Sequence, residues 1–355
     1  MATGPAGDWL NPAVFEPLRT PRLVIRPFLA TDAEELHRRR NDPDVARWQN
    51  WTLPYPADRA RAVVDEVMQM PGPANDEWWM GSIVLAESDV VIGDVAINLT
   101  WDSRCSEIGY SLSKEHWSRG YASETATALV EYLFENVGVT RVQGTLHPEN
   151  TASAVVLERA GFVFEGHTRL SYWVADDNSD DWIYGLTRED WLAWRDRPRA
   201  APGDVRLIEI DPENSYEVFR LRTHKTQERF VAPMAASFAD ALFPEVVDGA
   251  PLVPWMRAIE ADGAIVGFVM LALTTEHHPE PYLWRLLIDR LHQRRGIGNL
   301  ALHLVEQECR GWGDAAILTS WVPGRASPEA FYLRRGYLPT GRIVDDEVEG
   351  RKELG

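Results

Sequence analysis

Three landmarks occur twice in this chain, in the same order and at matched spacing. Arg22 opens RLVIRPFLATDAEELHRRR, which reads as a strand, a turn and an amphipathic helix, and Arg206 opens RLIEIDPENSYEVFRLR on the same plan. A glycine turn then starts a helix, SRGYASETATALVEYLF from Ser118 and RRGIGNLALHLVEQEC from Arg294. Each copy later ends an apolar helix in a glycine and an aromatic, VVLERAGF at Phe162 and AFYLRRGY at Tyr337. Gly120 and Gly161 stand 41 residues apart, Gly296 and Gly336 stand 40 apart. Self-similarity of this kind means one fold built twice, which suits 355 residues at about 100–200 per domain.

The expected organisation is an N-terminal extension at 1–16, a first domain at 17–194, a linker at 195–204 (RDRPRAAPGD) and a second domain at 205–355. Strands are expected at 79–85, 90–99 and 107–112 in the first copy, and at 256–260, 265–273, 282–288 and 316–320 in the second. Helices follow both glycine turns, with Ala126, Leu129, Val130 and Leu133 on one buried face and Leu300, Ala301, Leu304 and Val305 on the other. The fold class is therefore mixed α/β, each domain a mostly antiparallel, partly parallel central sheet flanked by helices.

Charge and cysteine content narrow the function. The net charge is −18, about −12 before residue 203 and −6 after it. A chain acidic in both halves is unsuited to nucleic-acid backbones and suited to cationic small molecules. Two cysteines 204 positions apart, Cys105 and Cys309, make neither a disulfide framework nor a metal site, and no metal is implied. No apolar run reaches the length of a spanning helix and the first residues lack a signal-peptide pattern, so a cytoplasmic protein is expected. Two linked copies of one fold can pack face to face within a chain, so a monomer or loose homodimer is expected.

Gln293-Arg294-Arg295-Gly296-Ile297-Gly298 lies between a strand and a helix, where backbone N–H groups converge at a helix N-terminus and bind pyrophosphate, or where the glycines merely make a tight turn. QRRGIG followed by AFYLRRGY resembles the acetyl-CoA signature [QR]-x-x-G-x-[GA] of the GNAT superfamily of N-acetyltransferases. ERFVAPMAASFADAL at 228–242, YLWRLLID at 282–289 and PTGRIVDDEVEGRKEL near the C-terminus are similar to bacterial spermine/spermidine-type enzymes, over nearly all of 205–354. The first copy resembles the Rim-type ribosomal-protein N-terminal acetyltransferases and their small-molecule relatives over about 17–194. It does so through LRTPRLVIRPF at 18–28, EIGYSL at 107–112, HWSRGYASETA at 116–126, HPENTASAVVLERAGF at 147–162 and DDWIYGLTREDW at 180–191. Its signature departs at the first position, which is Trp117, as that branch tolerates.

The resemblance implies acetyl-CoA as co-substrate and direct attack by a primary amine, with no covalent enzyme intermediate. It implies that Leu287, Ile288 and the loop from Gln293 to Gly298 hold the cofactor in the second copy, and Leu112, Arg119, Gly120, Tyr121, Ala122, Ser123 and Asn150 in the first. Tyr332, four residues before Gly336, stands where the family carries its general acid, or else packs in the core; the first copy has Leu157 there. Ser153 near the thiol and Glu107 as base or relay are the first copy's candidates, against helix capping by Asn150 and Ser153 and a solvated strand-edge Glu107. Arg285 with Asp289 is either a site pair or an ion pair, and Glu347 and Glu349 either recognise a cation or decorate an exposed tail. Asp176, Asp177, Asp180 and Asp181 would favour a cationic acceptor or form a solvated loop, and Trp48, Trp51, Trp78, Trp79, Trp101 and Trp173 line a cavity or fill the core. The expected acceptor is a polyamine, an amino sugar or an aminoglycoside-like amine. The alternatives are a protein N-terminus taken by the first domain, or one catalytic domain beside a non-catalytic acyl-CoA-binding or scaffold domain.

Overall fold

In the computed structural model, which describes residues 14–174, 177–247 and 249–355, the chain divides between Arg195 and Asp196 into two units. The first contains β1 (Leu18–Arg19), β2 (Leu23–Pro27), α1 (Asp32–Arg40), α2 (Pro43–Ala46), α3 (Ala57–Val67), β3 (Trp78–Leu85), β4 (Val91–Thr100), β5 (Cys105–Leu112) and α4 (Tyr121–Tyr132). After these come β6 (Arg141–Leu146), α5 (Thr151–Ala160), β7 (Val163–Val174), β8 (Asp177–Thr187) and α6 (Arg188–Asp196). The strands form one sheet in the order β1-β2-β3-β4-β5-β6-β8-β7.

The second unit runs β9 (Val205–Ile208), α7 (Ser215–Phe219), α8 (Met234–Leu242), β10 (Val246–Val247), β11 (Ala250–Pro251), β12 (Pro254–Ala261), β13 (Ala264–Ala272) and β14 (Tyr282–Ile288). It continues through α9 (Ile297–Trp312), β15 (Ala316–Trp321), α10 (Glu329–Arg334), β16 (Leu338–Val344) and β17 (Glu347–Glu353). Its main sheet has the order β16-β17-β15-β14-β13-β12-β9. The expected strands are all present, with ends shifted by one or two residues.

Both sheets are antiparallel except at one place, and that place is the same in each. β5 and β6 run parallel and pair only at Cys105, Ser106 and Glu107 opposite Arg141, Val142 and Gln143. β14 and β15 pair only at Tyr282 and Leu283 opposite Leu318 and Thr319. Beyond those few rungs the strands part, so residues 108–112 and 284–288 border an open wedge in the sheet.

Each sheet carries helices on both faces. In the first unit, the face bearing Asp94 and Ser111 meets α1 through Arg39, and the opposite face meets α5 through Tyr110. Ala126, Leu129, Val130 and Leu133 of α4 and the following turn are buried as the 3-4 spacing predicts. In the second unit, α9 and α10 cover one core and α7 and α8 a separate one on the other face. The α9 face is rotated from the expected one: Ala301, Leu302, Val305 and Cys309 are buried, whereas Leu300 is exposed.

Phe15 lies within the segment expected to be an extension, yet it is buried against Trp79 and Tyr132 in the first core. The rest of 1–13 lies outside the described residues. At the far end of the linker, the Gly203 and Asp204 N–H groups donate to Asp262 in the turn between β12 and β13. No helix among the described residues is long and apolar enough to cross a membrane.

Candidate active sites

The two glycine loops share a backbone pattern. Ser118 and Gly120 have φ of 61° and 83°, and Arg294 and Gly296 have 64° and 82°. Left-handed residues two apart turn successive N–H groups toward one point, and the helix that follows adds the unsatisfied N–H groups of its first turn. Tyr121, Ala122 and Ser123 supply that turn in the first unit, and Ile297 and Gly298 begin it in the second. A Cβ on Gly296 would meet nothing within 4 Å, so the space above the turn is open. At Gly298 a Cβ would make ordinary contacts with Ile288 and Phe331, which is room for the alanine that Ala122 places in the first copy.

Trp117 departs from the motif in residue type but keeps its function. Gln293 Nε2 donates to the Ile288 carbonyl at 3.0 Å, and Trp117 Nε1 donates to the Leu112 carbonyl at 2.8 Å. Each acceptor is the last residue of its parted strand, five positions upstream. An indole N–H thus replaces an amide N–H as the clamp between loop and strand. Gln293 is fixed further by a reciprocal amide pair with Gln227, at 2.9 and 3.2 Å. Trp117→Leu removes one neutral hydrogen bond of about 1 kcal/mol, so it is expected to weaken acetyl-CoA binding to the first unit about fivefold, while Trp117→Gln retains it; calorimetry measures both.

The loop arginines separate. Arg294 is exposed, but Arg295 is buried and donates to the Ala200 carbonyl at 2.8 Å and to Asp262 at 3.2 Å, with His292 Nδ1 3.1 Å away. Its guanidinium anchors the loop and is not placed to meet phosphate, contrary to the motif reading. In the first unit Arg119 is exposed, and Arg22 holds its carbonyl at 2.9 Å while pairing with Glu124. Leu287 is also reassigned. The Asp289 N–H is given to Val266, so alternation along β14 turns the Ile288 N–H toward the wedge and the Leu287 N–H toward β13. Leu287 instead fills the core under α7 and α8. The same alternation, with Ser113 N–H donating to Ile92, directs the Leu112 N–H into the first wedge.

In the second unit Tyr332 sits on the α9–α10 side of β15, stacked on Trp321 at 5.6 Å and edge-on to Phe331 and Tyr337. Its hydroxyl bonds Thr319, whose Oγ1 also donates to the Leu283 carbonyl, at the last rung before the strands part. Burial pushes this phenol up to about 12, so it is a proton donor at neutral pH. On the other face of the sheet, Tyr282 hydroxyl lies 2.6 Å from Ser320 Oγ, which in turn bonds the Glu347 carboxylate. Glu347 and Glu349 are not in an exposed tail: they lie on β17, inside the sheet, and Glu349 is buried and accepts from Thr340 at 2.8 Å. Arg285 pairs with Asp240 of α8 at 2.9 Å, while Asp289 caps the Arg222 and Leu291 N–H groups, so these two residues do not form a pair.

His224 packs beside the Gln227 clamp. Burial, reinforced by Arg290 and Arg197, lowers it from 6.5 to about 4. A folded pKa below the unfolded one contributes stability that is present above pH 6.5 and lost as pH falls toward 4. Melting of the second unit is expected to lose about 3 kcal/mol across that window, a loss largely absent in His224→Gln.

In the first unit Asn150 does cap α5, its Oδ1 accepting from the Ser153 N–H at 3.2 Å, and this leaves its Nδ2 donors available. Ser153 Oγ lies 2.9 Å from the Tyr110 hydroxyl. Tyr110 lies outside the residues the motifs single out; the alternation of EIGYSL puts it on the α5 face, beside Ser153, and Glu107 on the opposite one. Leu157, buried, fills the position of Tyr332 and packs so closely on Gly144 that a Cβ there would lie 2.8 Å from it. Glu107 is half-buried, with Gln143 Nε2 at 3.4 Å. Ser153 and Glu107 are therefore not neighbours on one surface, and the wedge is where the two faces communicate.

The acidic loop is used internally. Asp180 accepts the Leu170 N–H and pairs with His167, and Asp181, buried, accepts from Ser171. Asp176 and the Asp177 side chain lie outside the described residues. The tryptophans divide too: Trp79 is core, Trp101 and Trp173 are exposed, and Trp48 stacks on His147 at 4.5 Å. With Arg47 3.8 Å from Glu149 and Lys114 paired to Asp44, α2 and its following turn are tied to both lips of the wedge.

An acetyltransferase (GNAT) domain matches residues 22–163, and the acetyltransferase (GNAT) family matches residues 216–337. An uncharacterized N-acetyltransferase of Bacillus licheniformis is 33% identical over 157 residues, covering 43% of this chain and 86% of its own. This chain belongs to the GNAT acetyltransferases. Its two GNAT domains stand in tandem, and the Bacillus licheniformis relative accounts for less than half of it. The FsC-acetyl coenzyme A-N(2)-transacetylase of Aspergillus fumigatus is 26% identical over 191 residues, 49% of this chain and 77% of that one. A GNAT-family acetyltransferase crystal structure from Bacillus anthracis overlays 49% of this chain and 99% of its own at 25% identity and a TM-score of 0.45.

Proposed function

We propose that both GNAT domains transfer acetyl from acetyl-CoA to primary amines, and that the C-terminal domain acts on a small cationic amine such as a polyamine or amino sugar. The observation that carries this reading is the wedge itself. In each domain it is bordered by a glycine-loop helix N-terminus, by a free strand amide at Leu112 or Ile288, and by acids and hydroxyls on opposite faces.

In the second domain the loop amides from Gly296 onward and Arg294 hold the pyrophosphate, and the Ile288 N–H polarises the acetyl carbonyl. The amine enters on the Glu347 face. Glu347 takes a proton from the ammonium through Ser320, the freed nitrogen attacks the carbonyl carbon, the C–S bond breaks as Tyr332 protonates the departing thiolate, and the proton still on the new amide nitrogen returns to the Tyr332 phenolate. In the first domain Ser153 with Tyr110 serves the thiol side, Asn150 Nδ2 the pantetheine amide, and Glu107 the amine side.

An amine panel assayed on the whole chain tests the reading, with a protein N-terminal peptide included. Turnover of polyamines or amino sugars supports it, and turnover of the peptide alone overturns it. Glu347→Gln is expected to lower kcat of the C-terminal domain about 100-fold at neutral pH. The deficit shrinks as pH rises, because free amine then forms without the base; a pH–rate profile measures this.

A further inference from the structure

We propose that the N-terminal domain takes an acceptor that carries a carboxylate as well as its amine, and that Arg40 holds that carboxylate. This rests on the reading above that the amine enters on the Glu107 face. Three consecutive arginines end α1. Arg38 pairs with Glu35 and Glu115, and Arg39 with Asp94. Arg40 is 8% exposed and has no carboxylate partner among the described residues. Its guanidinium donates to the Tyr55 hydroxyl at 2.5 Å, touches Met80 Sδ at 3.8 Å and lies over the rings of Trp51 and Tyr55 at 4.7 and 4.9 Å. Its Nε is buried without any acceptor. Aromatic faces offset part of the cost of burying a cation, but an uncompensated buried charge is expensive to retain.

The box around Arg40 is built rather than incidental. Trp51 Nε1 donates to the Arg40 carbonyl at 2.9 Å, and the Asn41 amide grips Tyr55 at both its N–H and its carbonyl. Arg40 Nη2 meets the sheet at Met80, and Met80 is in register with Ala96, which is in register with Gly109. Gly109 lies just past Glu107, where β5 has left β6. Arg40 therefore stands about 10 Å, or two strand spacings, from the wedge. The floor between them is small: a Cβ on Gly109 would meet only Ala96 Cβ, at 3.5 Å. On the same face Asn98, in register with Glu107, has a buried Oδ1 without a donor. Fixed cation, small-residue floor, orphan acceptor and Glu107 together suit an amino carboxylate whose two ends are separated by several methylenes. The planar guanidinium fork matches a carboxylate.

The test compares ω-amino carboxylates with amino alcohols of equal length on the whole chain, counting as N-terminal activity the part lost in Gly120→Asp. The carboxylates are expected to have kcat/KM at least tenfold higher, mostly through KM. Arg40→Met should bring that ratio near one, and Arg40→Lys should restore part of it, since an ammonium lacks the fork. Should Arg40→Met fail to fold, Gly109→Val, which narrows the floor, is expected to cost the carboxylates the same advantage. A ratio at or below one in the parent protein, or a ratio unchanged in Arg40→Met, overturns the assignment. If Gly120→Asp loses no activity on any amine, the catalytic reading of this domain fails instead. Calorimetry of the same amino carboxylates then decides Arg40 separately: binding lost in Arg40→Met supports it, and no binding, or binding indifferent to Arg40, overturns it.

Discussion

Tyr332→Phe is expected to lower the kcat of the C-terminal domain by about 10²–10⁴-fold while acetyl-CoA affinity stays within about twofold. The phenol stands at the base of the second wedge on the α10 face, and its upward shift to about 12 keeps it protonated throughout the working range of pH. Phenylalanine retains the stack on Trp321 and the edge contacts with Phe331 and Tyr337, so the loss falls on chemistry rather than on packing. The Thr319 hydroxyl keeps its bond to the Leu283 carbonyl in the variant. Steady-state kinetics on a C-terminal substrate measure the effect. An undiminished kcat would remove Tyr332 from the reaction and return it to the core.

The loop variants are expected to act as clean, independent knockouts of binding. Gly120→Asp and Gly296→Asp each put a side chain on a left-handed residue, at about 1 kcal/mol of strain, and place a carboxylate among amides arranged for phosphate. Like charge opposing a pyrophosphate is the larger effect, and each variant should weaken acetyl-CoA at its own loop by more than 100-fold. At position 296 the new side chain enters open space, so the fold has little reason to fail. At position 120 it approaches Arg22 Nη2, 3.3 Å from the ideal Cβ, and a cation there accommodates a carboxylate.

The two loops were legible in the residues because glycine at a helix start has a covalent reason to be there, and both adopt the expected positive φ. The sheet was legible from alternation; Tyr332 was singled out only by the family resemblance, which carries a general acid four residues before the glycine at 336. What the residues concealed depends on pairing between distant segments. Nothing local in QRRGIG separates an exposed Arg294 from a buried Arg295, because the difference is set by Asp262 and Ala200. The Tyr282–Ser320–Glu347 network exists through the β14–β15 and β15–β17 registers, which no motif encodes. Tyr110 was within reach, since EIGYSL alternates strictly and puts Tyr110 and Glu107 on opposite faces. Trp117 looked like a departure from the signature because residue type, not hydrogen-bonding capacity, defines a sequence pattern.

Two glycine loops of common design imply two acetyl-CoA sites in one chain. Calorimetric titration of acetyl-CoA into the intact protein, with Gly120→Asp and Gly296→Asp alongside, tests it most directly. Two sites per chain are expected, each lost in its own loop variant and kept in the other. A single site, abolished by Gly296→Asp and untouched by Gly120→Asp, would contradict it and make the first domain a support for the second.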